Sequence, residues 1–171
     1  MTRVLVVYAT RFGSTREVAS AMVHELNASG LQAHAAEASN SPPPENYDAF
    51  VIGSPLYGGK WISVAGLYAA LMTGRIKEKP VALFSMGGLG IKHPEAGLAQ
   101  HKEFLKNLIE VAPSLNVVSD AVFSGYFERS NLPWYLKIFD RFAPTPQGDH
   151  RDWSKIQIWS RSLVTKFRLN Q

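Results

Sequence analysis

Five short stretches of the chain are apolar or nearly so, and their lengths are typical of β-strands. They cover residues 3–8, 31–36, 49–52, 81–84 and 117–123. Runs with few polar residues predict strands buried on both faces, as in a parallel sheet. The 31–36 stretch is the weakest and leads into a polar, proline-rich turn, so we expect it at an edge of the sheet.

Between these strands, apolar residues recur at steps of three and four, which predicts helices over 14–28, 64–72 and 94–112. A closing helix is expected after Asp152, which can cap it. The third helix should turn Phe104, Leu105, Leu108 and Ile109 inward, and the closing helix should present one apolar face. That face would consist of Trp153, Ile156, Trp159, Leu163 and Phe167.

The alternation of strands and helices predicts an α/β fold, and right-handed crossovers leave few topologies. We expect a three-layer sandwich with a five-stranded parallel sheet in the order 2-1-3-4-5 and helices on both faces. A chain of 171 residues suits a single domain spanning residues 1–171. Residues 126–150 do not fit the alternation and are too long for an ordinary connection, so we interpret them as an insertion after the fifth strand.

Composition narrows the classes of function. The chain has no cysteine, which excludes disulfides, thiolate metal sites and dithiol redox centres, so redox chemistry would need a bound cofactor. A formal charge of +4 is too weakly basic for a nucleic-acid binder. The first apolar run is too short for a signal peptide or a membrane span, and we therefore expect a cytoplasmic location. No metal site is expected.

The first chemical signal lies between the first strand and the first helix. A helix start offers unpaired N–H groups and a positive dipole end, so a phosphate can bind there when hydroxyls complete its hydrogen bonds. The alternative is that Ser14 only caps the helix. The chain has neither a dinucleotide fingerprint nor a nucleoside-triphosphate loop, which favours a monophosphate. The candidate residues are Thr10, Arg11, Phe12, Gly13, Ser14 and Thr15.

A second segment follows the third strand, at the edge where open parallel sheets bind ligands. Tyr57 and Trp61 offer flat faces for stacking on a planar ring, or alternatively cover the edge of the core. Gly58 and Gly59 can adopt backbone conformations closed to other residues. The candidate residues are Ser54, Pro55, Leu56, Tyr57, Gly58, Gly59 and Trp61.

A third, glycine-rich segment follows the fourth strand. Its bare backbone amides and carbonyls suit the polar edge of a ring system, although the segment could also be only a flexible turn. The candidate residues are Ser85, Met86, Gly87, Gly88, Leu89 and Gly90. All three segments leave the same edge of the predicted sheet, and they therefore predict one shared ligand site.

Together these segments resemble the flavodoxin family, whose phosphate loop reads hydroxyl residue, two variable residues, Gly, one residue, Thr. The resemblance extends over nearly the whole chain and implies non-covalently bound flavin mononucleotide (FMN). It implies that residues 10–15 hold the phosphate, residues 54–61 one face of the isoalloxazine, and residues 85–90 its other side or pyrimidine edge. Gly58 matches the family glycine whose backbone flip modulates the flavin N5.

A narrower resemblance is to the flavodoxin-type, menaquinone-dependent protoporphyrinogen oxidases. It implies an FMN-dependent oxidoreductase of porphyrin biosynthesis that passes electrons to a quinone. No catalytic side chain is assigned, because the flavin does the redox chemistry. Phe12 departs from this family, which often has a polar residue there. The resemblance is in Thr10-Arg11-x-Gly13-x-Thr15-Arg16-Glu17, Trp134-Tyr135, Phe139-Asp140-Arg141-Phe142 and Asp152-Trp153.

Two other functions stay open: an NAD(P)H-dependent quinone or flavin reductase, and a non-enzymatic electron shuttle. A basic surface argues against the shuttle, which usually presents an acidic face to its partners. The apolar stretch 131–142 has basic flanks. It could contact the inner face of a membrane, wall a substrate pocket, or pack as a satellite helix. His93 and His101 could assist proton transfer, but isolated histidines near a helix start are more often surface groups, and we assign them no role.

Overall fold

A central sheet of parallel strands organises the computed structural model, which describes residues 1–72, 74–76, 78–87, 93–131, 134, 137 and 146–169. Its strand order is β2-β1-β3-β5-β6, and the short β4 pairs antiparallel with β3. Without β4, this is the predicted order 2-1-3-4-5, so the fold class is confirmed. The strands are β1 (Arg3–Tyr8), β2 (Gln32–Glu37), β3 (Ala49–Tyr57), β4 (Lys60–Trp61), β5 (Pro80–Gly87) and β6 (Asn116–Ser124).

Helices cover both faces of this sheet. Successive strand residues point to opposite faces, so Val4 and Val6 join one core and Leu5 and Val7 the other. The first core includes residues of α1 and α4, and the second includes residues of α2 and α3. The helices are α1 (Ser14–Ala28), α2 (Ser63–Met72), α3 (Pro94–Val111) and α4 (Trp153–Leu169).

Two predicted helix faces need correction. Ile109 is 46% exposed, because the buried stripe of α3 runs through His101, Leu105 and Leu108 at steps of four and three and leaves Ile109 on its flank. Trp153 is 36% exposed at the start of α4, where its ring lies under the guanidinium of Arg151. The predicted cap of this helix is confirmed, since Asp152 Oδ1 accepts a hydrogen bond from the backbone N–H of Lys155.

A two-stranded antiparallel ribbon follows β6. It consists of β7 (Tyr126–Phe127) and β8 (Gly148–Asp149), joined by residues 128–147. Most of the stretch 131–142 lies outside the described residues, so its predicted contact with a membrane or substrate stays a prediction. Among the described helices, none combines the length and apolar character that a membrane crossing requires.

Candidate cofactor site

The carboxyl ends of β1, β3 and β5 lie side by side in the middle of the sheet. Tyr8 pairs with Gly53 across β1 and β3, and Gly53 pairs with Phe84 across β3 and β5. Just beyond β1, the N–H of Ala9 donates to the carbonyl oxygen of Gly53 over 2.9 Å. The segments that leave β1, β3 and β5 therefore start from one edge, where parallel sheets bind ligands.

Gly13 forms the turn from the first segment into α1. Its φ is +91°, in the left-handed region, and its N–H donates to Thr10 Oγ1 over 2.9 Å. Gly13 is itself the N-cap, and no side chain caps the helix. The interpretation of Ser14 as a simple cap is therefore wrong, since Ser14 lies inside the first turn. The first turn of the helix therefore has backbone N–H groups that can donate hydrogen bonds to a bound anion.

Thr15 is a buried polar residue with an unusual feature. Its side chain is fully inaccessible to solvent, and its Oγ1 has no hydrogen-bond partner among the described residues. A buried hydroxyl without a partner costs about 1–3 kcal/mol. An unpaired hydroxyl in the first turn of α1 points to a polar ligand that would complete its hydrogen bonding there.

The second segment begins later than predicted. Ser54, Pro55 and Leu56 belong to β3, where they are buried and paired with β5, rather than to a loop. The Ser54 hydroxyl is also occupied, because it donates to the Pro55 carbonyl and accepts from the N–H of Ile62. β3 continues past the end of β1 because β5 runs beside it as far as Gly87, opposite Leu56, and the glycine and proline of this stretch hide that extension in the sequence.

Gly58 and Gly59 alone form the turn between β3 and β4. Their φ values of +58° and +76° match the tight hairpin turns that require positive φ at both central positions. Tyr57, which precedes them, is 46% exposed, and the guanidinium of Arg11 lies 5.9 Å from its ring centre. Partial burial raises the pKa of Tyr57, and Arg11 opposes that rise. The first and second segments thus meet at an accessible aromatic ring.

Trp61 packs against the core. It is only 6% exposed and stacks on Phe104, with the ring centres 4.6 Å apart. Its indole Nε1 donates to the hydroxyl oxygen of Ser85 over 2.7 Å. The alternative that Trp61 covers the edge of the core is the one the structure supports, because α3 supplies a ring that already occupies its face.

The third segment also begins later than predicted. Ser85, Met86 and Gly87 are buried residues of β5, paired with β6, and their backbone groups belong to the sheet. Gly88, Leu89 and Gly90 lie outside the described residues, so their binding role stays a prediction.

His101 is a buried polar residue that sequence reasoning placed on the surface. Its side chain is fully buried, with Nδ1 2.8 Å from Ser85 Oγ and Nε2 3.2 Å from Asp120 Oδ2. Burial lowers the pKa of His101, and Asp120 opposes that shift. The position of His101 four residues before Leu105, on the buried stripe of α3, was the available signal.

The arrangement of Ser85, His101 and Asp120 resembles a nucleophilic triad but cannot act as one. Ser85 is fully buried and accepts the Trp61 N–H, so no substrate carbonyl can reach its hydroxyl. Within the part of the chain that the structure describes, no group of three or more His, Asp or Glu side chains is placed to hold a metal ion.

A cavity of about 600 Å³ lies beside the hairpin, between α2 and α3, and its volume is within the range of small-molecule pockets. Its walls combine the hairpin glycines with aromatic and aliphatic side chains. They include Gly58, Gly59, Trp61, Gly66, Phe104 and Leu108.

Comparison with known proteins agrees with this architecture. Residues 5–152 match the model of the flavodoxin domain family. The protoporphyrinogen IX dehydrogenase [quinone] of Escherichia coli K12 is 26% identical over 173 aligned positions, which cover 95% of this chain and 94% of that protein. The flavodoxin of Streptococcus pneumoniae TIGR4 superposes with a TM-score of 0.63 at 13% identity, covering 96% of this chain and 99% of that one.

Oxidised flavodoxin 1 from Bacillus cereus gives a TM-score of 0.62 at 15% identity, over 96% of this chain and 98% of that structure. At such identities the two superpositions establish the fold alone. The family match covers most of the chain, including most of β1 and all of β3 and β5. The chain therefore belongs to the flavodoxin domain family, and its cofactor is FMN.

Proposed function

We propose that this protein is an FMN-dependent oxidoreductase that oxidises a protoporphyrinogen-type substrate and uses a quinone as electron acceptor. The observation that supports it is the extent of the match to the E. coli dehydrogenase, which runs over 95% of this chain. A match of that extent spans the region after β6 as well as the cofactor segments. That region contains the segments between Trp134 and Phe142 in which the sequence resembles the protoporphyrinogen oxidases.

The described residues fit the phosphate of FMN. Thr15 provides a buried hydroxyl that lacks a partner among the described residues. Gly13 precedes the helix in a left-handed backbone conformation, which a residue with a side chain would adopt only with strain. We assign phosphate binding to the N–H groups of the first turn of α1 together with Thr10, Ser14 and Thr15. Arg11 is exposed at the same loop and adds positive charge to the approach of the anion.

The ring of FMN would lie against the hairpin. We assign its contact to the exposed Tyr57 and to the backbone of Gly58 and Gly59. Bound FMN supplies the hydride and electron chemistry. The chain binds and orients the cofactor, and the Trp61–Ser85 hydrogen bond holds the hairpin against β5 so that the ring-binding surface keeps its shape.

The net charge favours this function over electron shuttling. The chain has 18 Lys and Arg against 14 Asp and Glu. A positive protein attracts anionic ligands and repels basic redox partners, and a porphyrinogen has negatively charged propionate groups. An NAD(P)H-dependent reductase would share the same cofactor site, and only the identity of the electron donor separates it from the proposed enzyme.

Anaerobic turnover separates these functions. We expect the FMN-loaded protein to convert protoporphyrinogen to fluorescent protoporphyrin when menadione is present, and apoprotein to show only the background rate. The same preparation mixed with NADPH should keep its oxidised flavin absorbance. Rapid bleaching by NADPH with no porphyrin formation would establish the reductase instead. If neither reaction occurs while FMN still binds, the non-enzymatic electron shuttle would be the function that remains.

A further inference from the structure

We infer that Arg151 is a positioning residue for FMN binding, which acts by neutralising Glu17 beside the phosphate site and so determines how strongly the protein retains a phosphorylated flavin. This inference rests on the FMN phosphate lying at the first turn of α1. It does not depend on the identity of the oxidised substrate.

Arg151 lies between β8 and α4, far from α1 in the sequence, and its side chain is only 7% exposed. Its Nη1 donates to Glu17 Oε2 over 2.8 Å and to the carbonyl oxygen of Ser14 over 3.3 Å. Both acceptors belong to the first turn of α1, which also contains the unpaired hydroxyl of Thr15. The guanidinium therefore contacts the element that would bind the phosphate.

The position of this guanidinium is fixed from three sides. Asp149 accepts two hydrogen bonds, from Nε over 2.8 Å and from Nη2 over 2.7 Å, in the bidentate geometry that suits an arginine. The ring of Trp153 lies 4.5 Å from the guanidinium carbon. These contacts hold Nη1 against Glu17, so the ion pair needs little further ordering of the side chain.

The negative charge of Glu17 opposes phosphate binding, and Arg151 counteracts it. An acidic side chain in a first helical turn stabilises the helix by interacting with its dipole. The same charge opposes a phosphate dianion bound at that helix start, because like charges nearby raise each other's energy. An arginine bonded to Glu17 offsets part of that repulsion and keeps the favourable dipole of α1 available to the ligand.

The contact also joins the cofactor site to the insertion. Asp149 belongs to β8, one strand of the ribbon that flanks residues 128–147. The guanidinium of Arg151 therefore bonds both this ribbon and α1. A movement of that ribbon would withdraw Arg151 from Glu17 and expose the phosphate site to the carboxylate.

The test compares FMN with riboflavin, which lacks the phosphate. We expect Arg151→Ala to raise the Kd for FMN about tenfold, the equivalent of roughly 1.4 kcal/mol, while the Kd for riboflavin changes little. Flavin fluorescence quenching on titration into apoprotein measures both. Glu17→Gln in the Arg151→Ala background should restore most of the FMN affinity, and the loss in Arg151→Ala should shrink at high salt.

A matched ion pair serves as the control. Arg161 of α4 donates to Glu25 of α1 over 2.7 Å, so this ion pair also ends on α1 but lies about two turns further from the phosphate site. Arg161→Ala should leave the preference for FMN over riboflavin unchanged. If Arg151→Ala fails to fold, Glu17→Gln alone still decides, because it removes the negative charge beside the phosphate site and should tighten FMN binding a few-fold.

Equal losses of FMN and riboflavin affinity in Arg151→Ala would overturn the inference, since a general loosening of the fold would produce that result. A failure of Glu17→Gln to restore FMN binding would overturn it as well. Neither outcome bears on turnover with protoporphyrinogen, which is measured separately on the wild-type protein.

Discussion

The indole N–H of Trp61 donates to the hydroxyl oxygen of Ser85 over 2.7 Å, and this buried contact joins the β3–β4 hairpin to the neighbouring strand β5. Ser85 in turn contacts His101, and His101 contacts the half-exposed Asp120. A consistent proton arrangement has each group donating to the next, from Trp61 towards the carboxylate. The hairpin that would hold the flavin ring is thus anchored to α3 and β6.

Removing the Ser85 hydroxyl should destabilise the protein. Ser85→Ala leaves the Trp61 N–H and His101 Nδ1 buried without a partner, at a cost of about 1–3 kcal/mol for each group. Urea unfolding followed by circular dichroism measures the loss. Ser160→Ala is the control, because Ser160 is equally buried but only donates to the Ile156 carbonyl of its own helix. A Ser85→Ala variant as stable as Ser160→Ala would contradict this account.

His101 should make stability depend on pH. Because burial lowers its pKa in the folded state, the unfolded state binds the proton more readily between that lowered value and the ordinary value of about 6.5. The free energy of unfolding should therefore fall as the pH is lowered through that window. Above the window, the contribution of neutral His101 to stability should be complete.

His101→Gln removes the titration while keeping a donor and an acceptor, so its free energy of unfolding should change less between pH 7 and about pH 5. Urea midpoints at several pH values test this. His93→Gln, on an exposed residue, should retain the slope of the wild type. Identical slopes in the wild type and His101→Gln would show that His101 does not titrate in this way.

Thr15→Val should separate stability from cofactor binding. Valine has nearly the same shape but no hydroxyl, so the apoprotein should be at least as stable as the wild type, because a buried unpaired group is removed. Affinity for FMN should fall about 10- to 100-fold if that hydroxyl bonds the charged phosphate. Thermal unfolding of apoprotein and flavin titration give the two quantities.

The exposed Thr165 of α4 provides the control for that substitution. Thr165→Val should change neither the apoprotein stability by more than about 0.5 kcal/mol nor the affinity for FMN. Wild-type FMN affinity in Thr15→Val would remove Thr15 from the phosphate site.

Gly13→Ala should act through the backbone alone. A Cβ at Gly13 would meet nothing within 4 Å, but its φ of +91° disfavours a side chain. We expect a loss of about 1–2 kcal/mol and weaker FMN binding. At Gly66, which also has open space but an ordinary helical backbone, alanine should stabilise the protein by roughly 0.5–1 kcal/mol. If the unfolding midpoints show that both variants are less stable, or both more stable, than the wild type, the expected difference between the two glycines would be contradicted.

The fold class and the general location of the site could be predicted from the sequence. Strand and helix periodicities arise from contacts with a core. The apolar run of β1 and the helical spacing of α1 can therefore be recognised within a short stretch of sequence. The phosphate-loop pattern from Thr10 to Thr15 is likewise local, because a helix start needs only consecutive residues. The prediction of Trp61 as a ligand face failed, since its stacking partner Phe104 is far away in the sequence.

Tertiary structure alone decided which polar residues are occupied and which are free to bind. His101 lies 16 residues from Ser85 and 19 from Asp120, and Arg151 lies 134 residues from Glu17. No local pattern encodes such pairings, because they depend on which strands and helices pack together after the chain has crossed the sheet. Burial then gives each pairing its chemical consequence, since a polar group removed from water must find its partner within the fold.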